Sequence, residues 1–314
     1  MESIIFSVDG RSYDKLFKLL KRVGKVTKGE ISVQRFSDGE NGVEFLNSVR
    51  GKRVYLLSSP NTSDKIIQLG LAIDAAKRSS AAEIIPILPF FPYSRSDKRD
   101  QTRGPIGARF IADLLEAAGA TSIITFDLHA DQIQGFFNIP VMHMEGKYIF
   151  DEYICNLYNT IGDIVLCSPD AGSSKRVKQF RDRITELTGI KLPIVHIDKS
   201  REVANEVSSM DLIGDVINKN VLILDDLIDT YGTADKAINL LIDSGAKSVY
   251  MVATHGILSG PAVERIKHSK VTELVISDTL DTNSKKVKVI SCANQIVNAI
   301  VAINENISVE SLKH

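Results

Sequence analysis

The sequence predicts an α/β protein with two similar domains, each a mainly parallel sheet flanked by helices. Short β-branched runs alternate with longer stretches of helical period along the whole chain. The strand runs are apolar on both faces, as strands covered by helices on each side must be. The alternation occurs twice within 314 residues, a length that fits about two domains. A soft boundary near Met144–Lys147 gives domains at 1–145 and 146–314, the last helix being free to pack back on the first domain.

In the first half, strands are expected at Val54–Ser58, Glu83–Leu88 and Ser122–Asp127, with helices at Asp64–Arg78 and Pro105–Ala118 between them. In the second half, Asp163–Ser168, Pro193–Ile197, Val221–Asp225, Val249–Thr254 and Glu273–Ser277 read as strands. Lys147–Tyr158, Ser174–Thr188, Thr233–Ser244, Pro261–Lys267 and Ala293–Ile303 read as helices. No short-period repeat or low-complexity tract interrupts the pattern.

Composition narrows the class. At 44% hydrophobic and 25% charged, the chain can bury a real core. The longest apolar stretch, Ile84–Pro92, is far short of the roughly 18 residues a membrane span needs. Met1-Glu2-Ser3-Ile4 lacks a basic region followed by a long apolar one, so no secretory signal is expected. Cys155, Cys167 and Cys292 are odd in number and widely spaced, which argues against CxxC pairs and a disulfide scaffold and for a reducing, cytoplasmic setting. A net charge of −1 offers no global field for nucleic acid. Any polyanion must be small and held locally.

In such sheets ligands sit outside the carboxyl ends of the strands, where loops enter helices. Polar clusters follow the expected strands at Pro92–Asp100, Thr125–Asp131, Cys167–Lys175, Asp198–Arg201 and Asp225–Thr233. The last is the most telling. Val221–Leu224 is a buried strand by composition, and it ends in Asp225-Asp226. Asp229-Thr230-Tyr231-Gly232-Thr233 then enter a helix, where backbone N–H groups and two threonine hydroxyls suit a phosphate monoester. Adjacent carboxylates suit sugar hydroxyls, directly or through magnesium. An ordinary N-cap with solvated acids would look similar at first sight, although a buried strand seldom ends in two acids. Neither GxGxxG nor GxxxxGK[ST] is present, so dinucleotide and P-loop readings are poor.

The stretch VLILDDLIDTYGT resembles the phosphoribosyl-diphosphate loop shared by type I phosphoribosyltransferases and the ribose-phosphate diphosphokinase (phosphoribosyl diphosphate synthetase) family. Arg35–Glu40, the Tyr93–Asp100 loop, Phe126–Phe137 with its DLHADQIQGFF, Ser168-Pro169-Asp170 and Ala253-Thr254-His255-Gly256 match the synthetase in order, over nearly the whole chain. The resemblance implies two phosphoribosyltransferase-like domains and a defined reaction. The β,γ-diphosphate of Mg-ATP would pass to the C1 hydroxyl of ribose 5-phosphate, giving phosphoribosyl diphosphate and AMP.

It also implies roles. Phe36, Asp38, Gly39 and Glu40 would form the adenine pocket; on their own they read as a polar turn. The charged segment Pro92–Gly104, which alone is equally a lid or a solvated excursion, becomes a loop over ATP with Arg95 and Ser96 at the nucleotide. His129, otherwise a hydrogen-bonded histidine at a strand end, would share magnesium with Asp170, ATP phosphates supplying most of the oxygen ligands. Lys199 and Arg201 point the same way if Asp198–Arg201 is extended; an exposed charged pair is the bland reading. The resemblance makes Lys199 catalytic, beside Arg95, and puts Arg201 on ribose 5-phosphate. Asp225, Asp226 and Asp229–Thr233 complete the ribose-phosphate site.

Three departures stand out. The family commonly has Gln at Ser96, glycine at Ser173, and glycine at Tyr231. Tyrosine at a position needing positive φ costs roughly 1–2 kcal/mol. A phosphoribosyltransferase, or a non-catalytic regulatory homologue, is the alternative. The resemblance further implies dimers building a hexamer, with phosphate and ADP as regulators near Ser48–Lys52, whose preceding Gly42–Asn47 segment is atypical. Neither nucleic acid nor membrane is expected as a partner.

Overall fold

The computed structural model describes residues 1–24, 26–200 and 209–312. It divides into two compact units, Met1–Glu145 with the segment from Ser291 onward, and Gly146–Ile290. Among the described residues no helix is long and apolar enough to cross a membrane.

The first unit runs β1 (Ser3–Ser7), α1 (Asp14–Val23), β2 (Thr27–Lys28), β3 (Ile31–Arg35), β4 (Asn41–Phe45), β5 (Arg53–Leu57), α2 (Ser63–Arg78), β6 (Glu83–Leu88), α3 (Gly107–Ala118), β7 (Ile123–Phe126) and β8 (Val141–Met144). The described sheet has the order β2-β1-β5-β6-β7-β8, with every neighbouring pair parallel. Its central strands are buried on both faces because their Val, Ile, Leu and Tyr side chains meet helices on each side. α2 starts where the Thr62 hydroxyl accepts the Lys65 N–H, with Asp64 in its first turn and Lys77 and Arg78 in its last. Each charge complements the helix dipole. β3 and β4 form a separate antiparallel hairpin.

The second unit runs α4 (Asp151–Ile161), β9 (Ile164–Ser168), α5 (Ser174–Thr188), β10 (Ile194–Ser200), β11 (Ser209–Ile213), β12 (Asn220–Ile228), α6 (Gly232–Asp243), β13 (Ser248–Gly256), α7 (Ala262–His268), β14 (Glu273–Ser277) and β15 (Val287–Ile290). The described strands are ordered β11-β10-β9-β12-β13-β14-β15 and are parallel except at the β10–β11 pair. Val165, Cys167, Val221 and Ile223 pack with α6 and α7 in one core layer. The alternating Leu166, Leu222 and Leu224 are equally buried on the other face.

The chain finishes with α8 (Ala293–Glu305), which belongs to the first unit. The Asn304 amide oxygen accepts from Ser3 Oγ, Arg53 Nη1 and Tyr55 Oη at 2.9, 2.9 and 3.0 Å. Arg53 is in turn paired with both carboxylate oxygens of Glu83, at 2.5 and 3.0 Å. That pair holds the Glu83 carboxyl below the usual carboxylate range.

Most expected elements appear within a few residues of their expected ends. The helix expected at Lys147–Tyr158 is displaced: Gly146–Ile149 is a 3-10 turn, and α4 begins at Asp151, with Asp151 and Glu152 as its first-turn acids. The strand at Val221–Asp225 runs on to Ile228, so the two acids lie inside β12 rather than beyond its end.

Candidate active site

The chain leaves β9 for β10 on one side and returns as β12 on the other side of β9. Connections diverge there, so the carboxyl ends of β9 and β12 frame the crevice in which open α/β sheets bind ligands. Asp170 follows β9, and Asp225 and Asp226 lie toward the carboxyl end of β12. Register places them at one level, since Ile223 is opposite Cys167.

These acids are wired together. Asp170 Oδ1 accepts the Ser173 N–H and hydroxyl, both at 2.9 Å, and the same hydroxyl lies 3.4 Å from Asp225 Oδ1. The Asp226 N–H donates to Asp225 Oδ1 at 2.9 Å. Arg176 Nη1 approaches Asp226 Oδ1 at 3.4 Å. Desolvation by the surrounding protein, and then the charge of Asp226, push the Asp225 carboxyl well above the usual range, with Asp170 adding and Arg176 opposing. Three carboxylates and one guanidinium meet in this pocket. Such a pocket is completed by a cation or by sugar hydroxyls that donate hydrogen bonds.

Hard carboxylate oxygens suit magnesium. No compact group of three or more His, Cys, Asp or Glu able to hold a metal occurs among the described residues. Magnesium characteristically takes one or two protein carboxylates and fills its shell from substrate phosphates and water. The donor set around Asp170 fits that habit.

β12 ends at Ile228, and α6 starts at Gly232 with Tyr231 as its N-cap in the left-handed conformation, φ 65°. The first-turn N–H groups of α6 have no acceptor within the helix and point out of its N-terminal end, along the axis, toward the turn. Asp229 takes a short hydrogen bond from the Ser259 hydroxyl, and Arg265 Nη1 donates to the Thr230 carbonyl at 2.9 Å. A Cβ on Gly232 would lie 2.9 Å from Arg265 Nη1, so glycine there makes room for the guanidinium. Thr230 and Thr233 are exposed, as a hydroxyl meeting a ligand must be.

The expected strain at Tyr231 is real, and the structure contains its compensation. The ring is only 2% exposed and packs in the core layer with α6 and α7. Burying a side chain of this size contributes about 1.5–3 kcal/mol, enough to offset roughly 1–2 kcal/mol of backbone strain. Its hydroxyl donates to Ser269 Oγ at 3.0 Å, and burial pushes its pKa up to about 12. The Tyr231 side chain therefore faces the core, and only its backbone faces the loop.

Lys199 lies near the end of β10, with its backbone opposite Met210 of β11, and β10 is parallel to β9. Arg201 lies outside the described residues.

In the first unit, β6 and β7 are neighbours, so the Arg95 and His129 loops leave the same edge of the sheet. A hydrogen bond of 2.9 Å from Gln132 to Asp97 joins them. Arg95 and His129 are exposed. The Ser96 hydroxyl accepts the Gly107 N–H at 3.0 Å and so caps the start of α3. Phe36, Asp38, Gly39 and Glu40 make the tip of the β3–β4 hairpin, turned by Gly39 at φ 95°. Phe36 is 48% exposed, with its ring edge against Gly42.

Sequence reasoning missed several residues. His143 of β8 accepts the Leu128 N–H at 3.0 Å and so fixes the backbone beside His129. Arg176, Ser259 and Arg265 reach the acids or the loop only through the fold; no local spacing announces them.

Comparison with known proteins gives the family. Residues 4–119 match the N-terminal domain of ribose phosphate pyrophosphokinase, and residues 195–313 match the phosphoribosyl synthetase-associated domain. A ribose-phosphate pyrophosphokinase of Clostridium tetani is 42% identical, over 96% of this chain and 95% of its own. One from Porphyromonas gingivalis is 41% identical over 90% of each. The crystal structure of phosphoribosylpyrophosphate synthetase from Mycobacterium smegmatis superposes with a TM-score of 0.86 at 38% identity, over 97% of this chain and 99% of that one. With acids at the β9/β12 divergence, a turn after β12 that opens a helix, and this likeness along its whole length, the chain belongs to the ribose-phosphate pyrophosphokinase family of enzymes.

Proposed function

We propose that the chain transfers the β,γ-diphosphate of ATP to the C1 hydroxyl of ribose 5-phosphate, releasing AMP and forming phosphoribosyl diphosphate. The observation that carries this is the junction of β9 and β12, where Asp170, Ser173, Asp225 and Asp226 form one hydrogen-bonded acidic pocket upstream of the Asp229–Thr233 turn. Asp225 and Asp226 orient the ribose hydroxyls. The backbone N–H groups of the turn, with the Thr230 and Thr233 hydroxyls, take the 5-phosphate. Arg201 adds charge to that phosphate.

Phe36 stacks on adenine while Asp38 and Glu40 accept from its exocyclic amine, Gly39 shaping the turn. Arg95 meets the ATP phosphates, and Ser96 acts on the nucleotide only indirectly, by capping α3. Asp170 and His129 would be the protein groups that hold magnesium, with substrate phosphates supplying the rest of its oxygen ligands. Bound there, the ion would neutralise phosphate charge, which such transfers need more than covalent help. Lys199 and Arg95 stabilise the charge that develops on the transferring oxygens, with water kept out by the Pro92–Gly104 loop.

Incubating the purified chain with Mg-ATP and ribose 5-phosphate, and measuring AMP and phosphoribosyl diphosphate by mass spectrometry, tests the reading. Equal amounts of both products are expected. No AMP from the chain alone would leave the regulatory homologue as the better account, and product forming only with a free base would favour a phosphoribosyltransferase. The same reading makes the protein a cytoplasmic homo-oligomer, a hexamer built from dimers, with phosphate activation and ADP inhibition near Ser48–Lys52. Light scattering with and without phosphate and ADP checks the assembly.

A further inference from the structure

We propose that Tyr231 is a positioning residue for the sugar-phosphate turn, the anchor that holds Asp229–Thr233 in its binding shape from behind. The inference rests on the proposed ribose 5-phosphate site and deepens it. Consecutive residues of the turn are each tied to one short segment of the chain, Ser259–Ser269, which contains α7. Asp229 is bonded by Ser259, the Thr230 carbonyl by Arg265, and the Tyr231 hydroxyl by Ser269 at the carboxyl end of α7. Gly232 leaves room for the same Arg265 guanidinium.

Of these ties, only Tyr231 is sunk in the core. Its ring is 2% exposed and packs with residues of both α6 and α7. The residue sits at the N-cap, so its left-handed backbone sets the direction in which α6 starts. A ring fixed in the core thus fixes the first-turn N–H groups that meet the phosphate. A turn held this way is ordered before the ligand arrives, and binding need not supply that ordering. Glycine would adopt the same φ without strain, but nothing would then hold it there.

The test measures ribose 5-phosphate binding by calorimetry on the full chain, with ADP binding measured in parallel and folding checked by circular dichroism. Tyr231→Gly is expected to weaken ribose 5-phosphate by about tenfold or more, with ADP affinity held. Tyr231→Phe, which keeps the ring, should recover most of that loss. Arg265→Met, an exposed change that releases only the Thr230 carbonyl, should weaken the same ligand several-fold and serves should the glycine variant fail to fold. Wild-type affinity in Tyr231→Gly, or in Arg265→Met where the glycine variant is unfolded, overturns the anchor. So does a loss in Tyr231→Phe as large as that in Tyr231→Gly. A wild-type chain that binds no ribose 5-phosphate overturns the site itself, and is told apart by that control.

Discussion

The two units present their candidate residues in opposite ways. In the first, Phe36, Asp38, Glu40, Arg95 and His129 are all exposed, carried on a hairpin tip and two loops. In the second, Ser173, Asp226 and Tyr231 are buried, Asp170 and Asp225 are partly so, and all but Tyr231 are joined in one network. The contrast matches what each side is proposed to bind. A pentose phosphate is small and rigidly patterned, so its acids can be set in place beforehand. A triphosphate is long and highly charged, and in the proposed reading it would be met by long cations and an aromatic face on exposed loops.

The comparison is broken most severely at the charge that acts on the transferring oxygens. Lys199→Ala should leave substrate binding largely intact while turnover falls by about 10²–10³-fold, the effect of removing one oxyanion-type donor. Single-turnover kinetics with separately measured dissociation constants will check it. Turnover near normal would refute the assignment.

Next comes Asp225→Asn, to which only the second unit should respond. Ribose 5-phosphate affinity should fall by about 10–100-fold, the effect of losing a charged hydrogen-bond acceptor, while ADP affinity holds. Thermal stability should rise. Asp225 has its folded-state pKa raised, so the native state binds the proton more tightly than the unfolded chain does. Ionising it therefore lowers stability as pH rises from the ordinary carboxylate pKa toward the raised one. The variant's gain in Tm should be largest above that window and fade below about pH 4. A Tm gain that persists unchanged at pH 3 would contradict the burial argument.

A smaller effect is expected at Ser173. Ser173→Ala removes the hydroxyl shared by Asp170 and Asp225 but leaves the N–H on Asp170. A net hydrogen bond of about 0.5–1.5 kcal/mol corresponds to a several-fold higher magnesium requirement and ribose 5-phosphate KM. Smallest on function is Ser96→Ala. It uncaps α3 and should reduce stability by about 1 kcal/mol, with the KM for ATP changed little; a large rise in that KM would return Ser96 to the nucleotide.

How much of this was legible in the sequence follows burial for most elements, though buried β1 was not expected. The central strands β5, β6, β9, β12, β13 and β14 are apolar on both faces, and continuous Val, Ile and Leu runs announce them. The edges carry weaker signals. β15 buries Val287 but exposes Lys288 and Val289, β8 is a four-residue strand containing His143, and α1 buries only Leu16 and Leu20. None was expected. β11 and the β3–β4 hairpin went unread for the same reason, since strands exposed on one side lack a continuous apolar run.

The site shows the same division. Asp225 and Asp226 were legible because two acids in a buried strand demand an explanation. The Ser173 bridge was not, because it joins residues 52 apart in the chain and exists only once β9 and β12 are neighbours. Nor was the direction of the Tyr231 ring. Composition placed that residue in a polar loop, whereas the left-handed backbone turns its side chain into the core.

Following the β-phosphorus tests the account most directly. With ATP labelled there, magnesium and ribose 5-phosphate, the purified chain should move the label into phosphoribosyl diphosphate and leave AMP unlabelled, and should do neither when the sugar phosphate is omitted. Label recovered in ADP, or unchanged in ATP when both substrates are present, would contradict it.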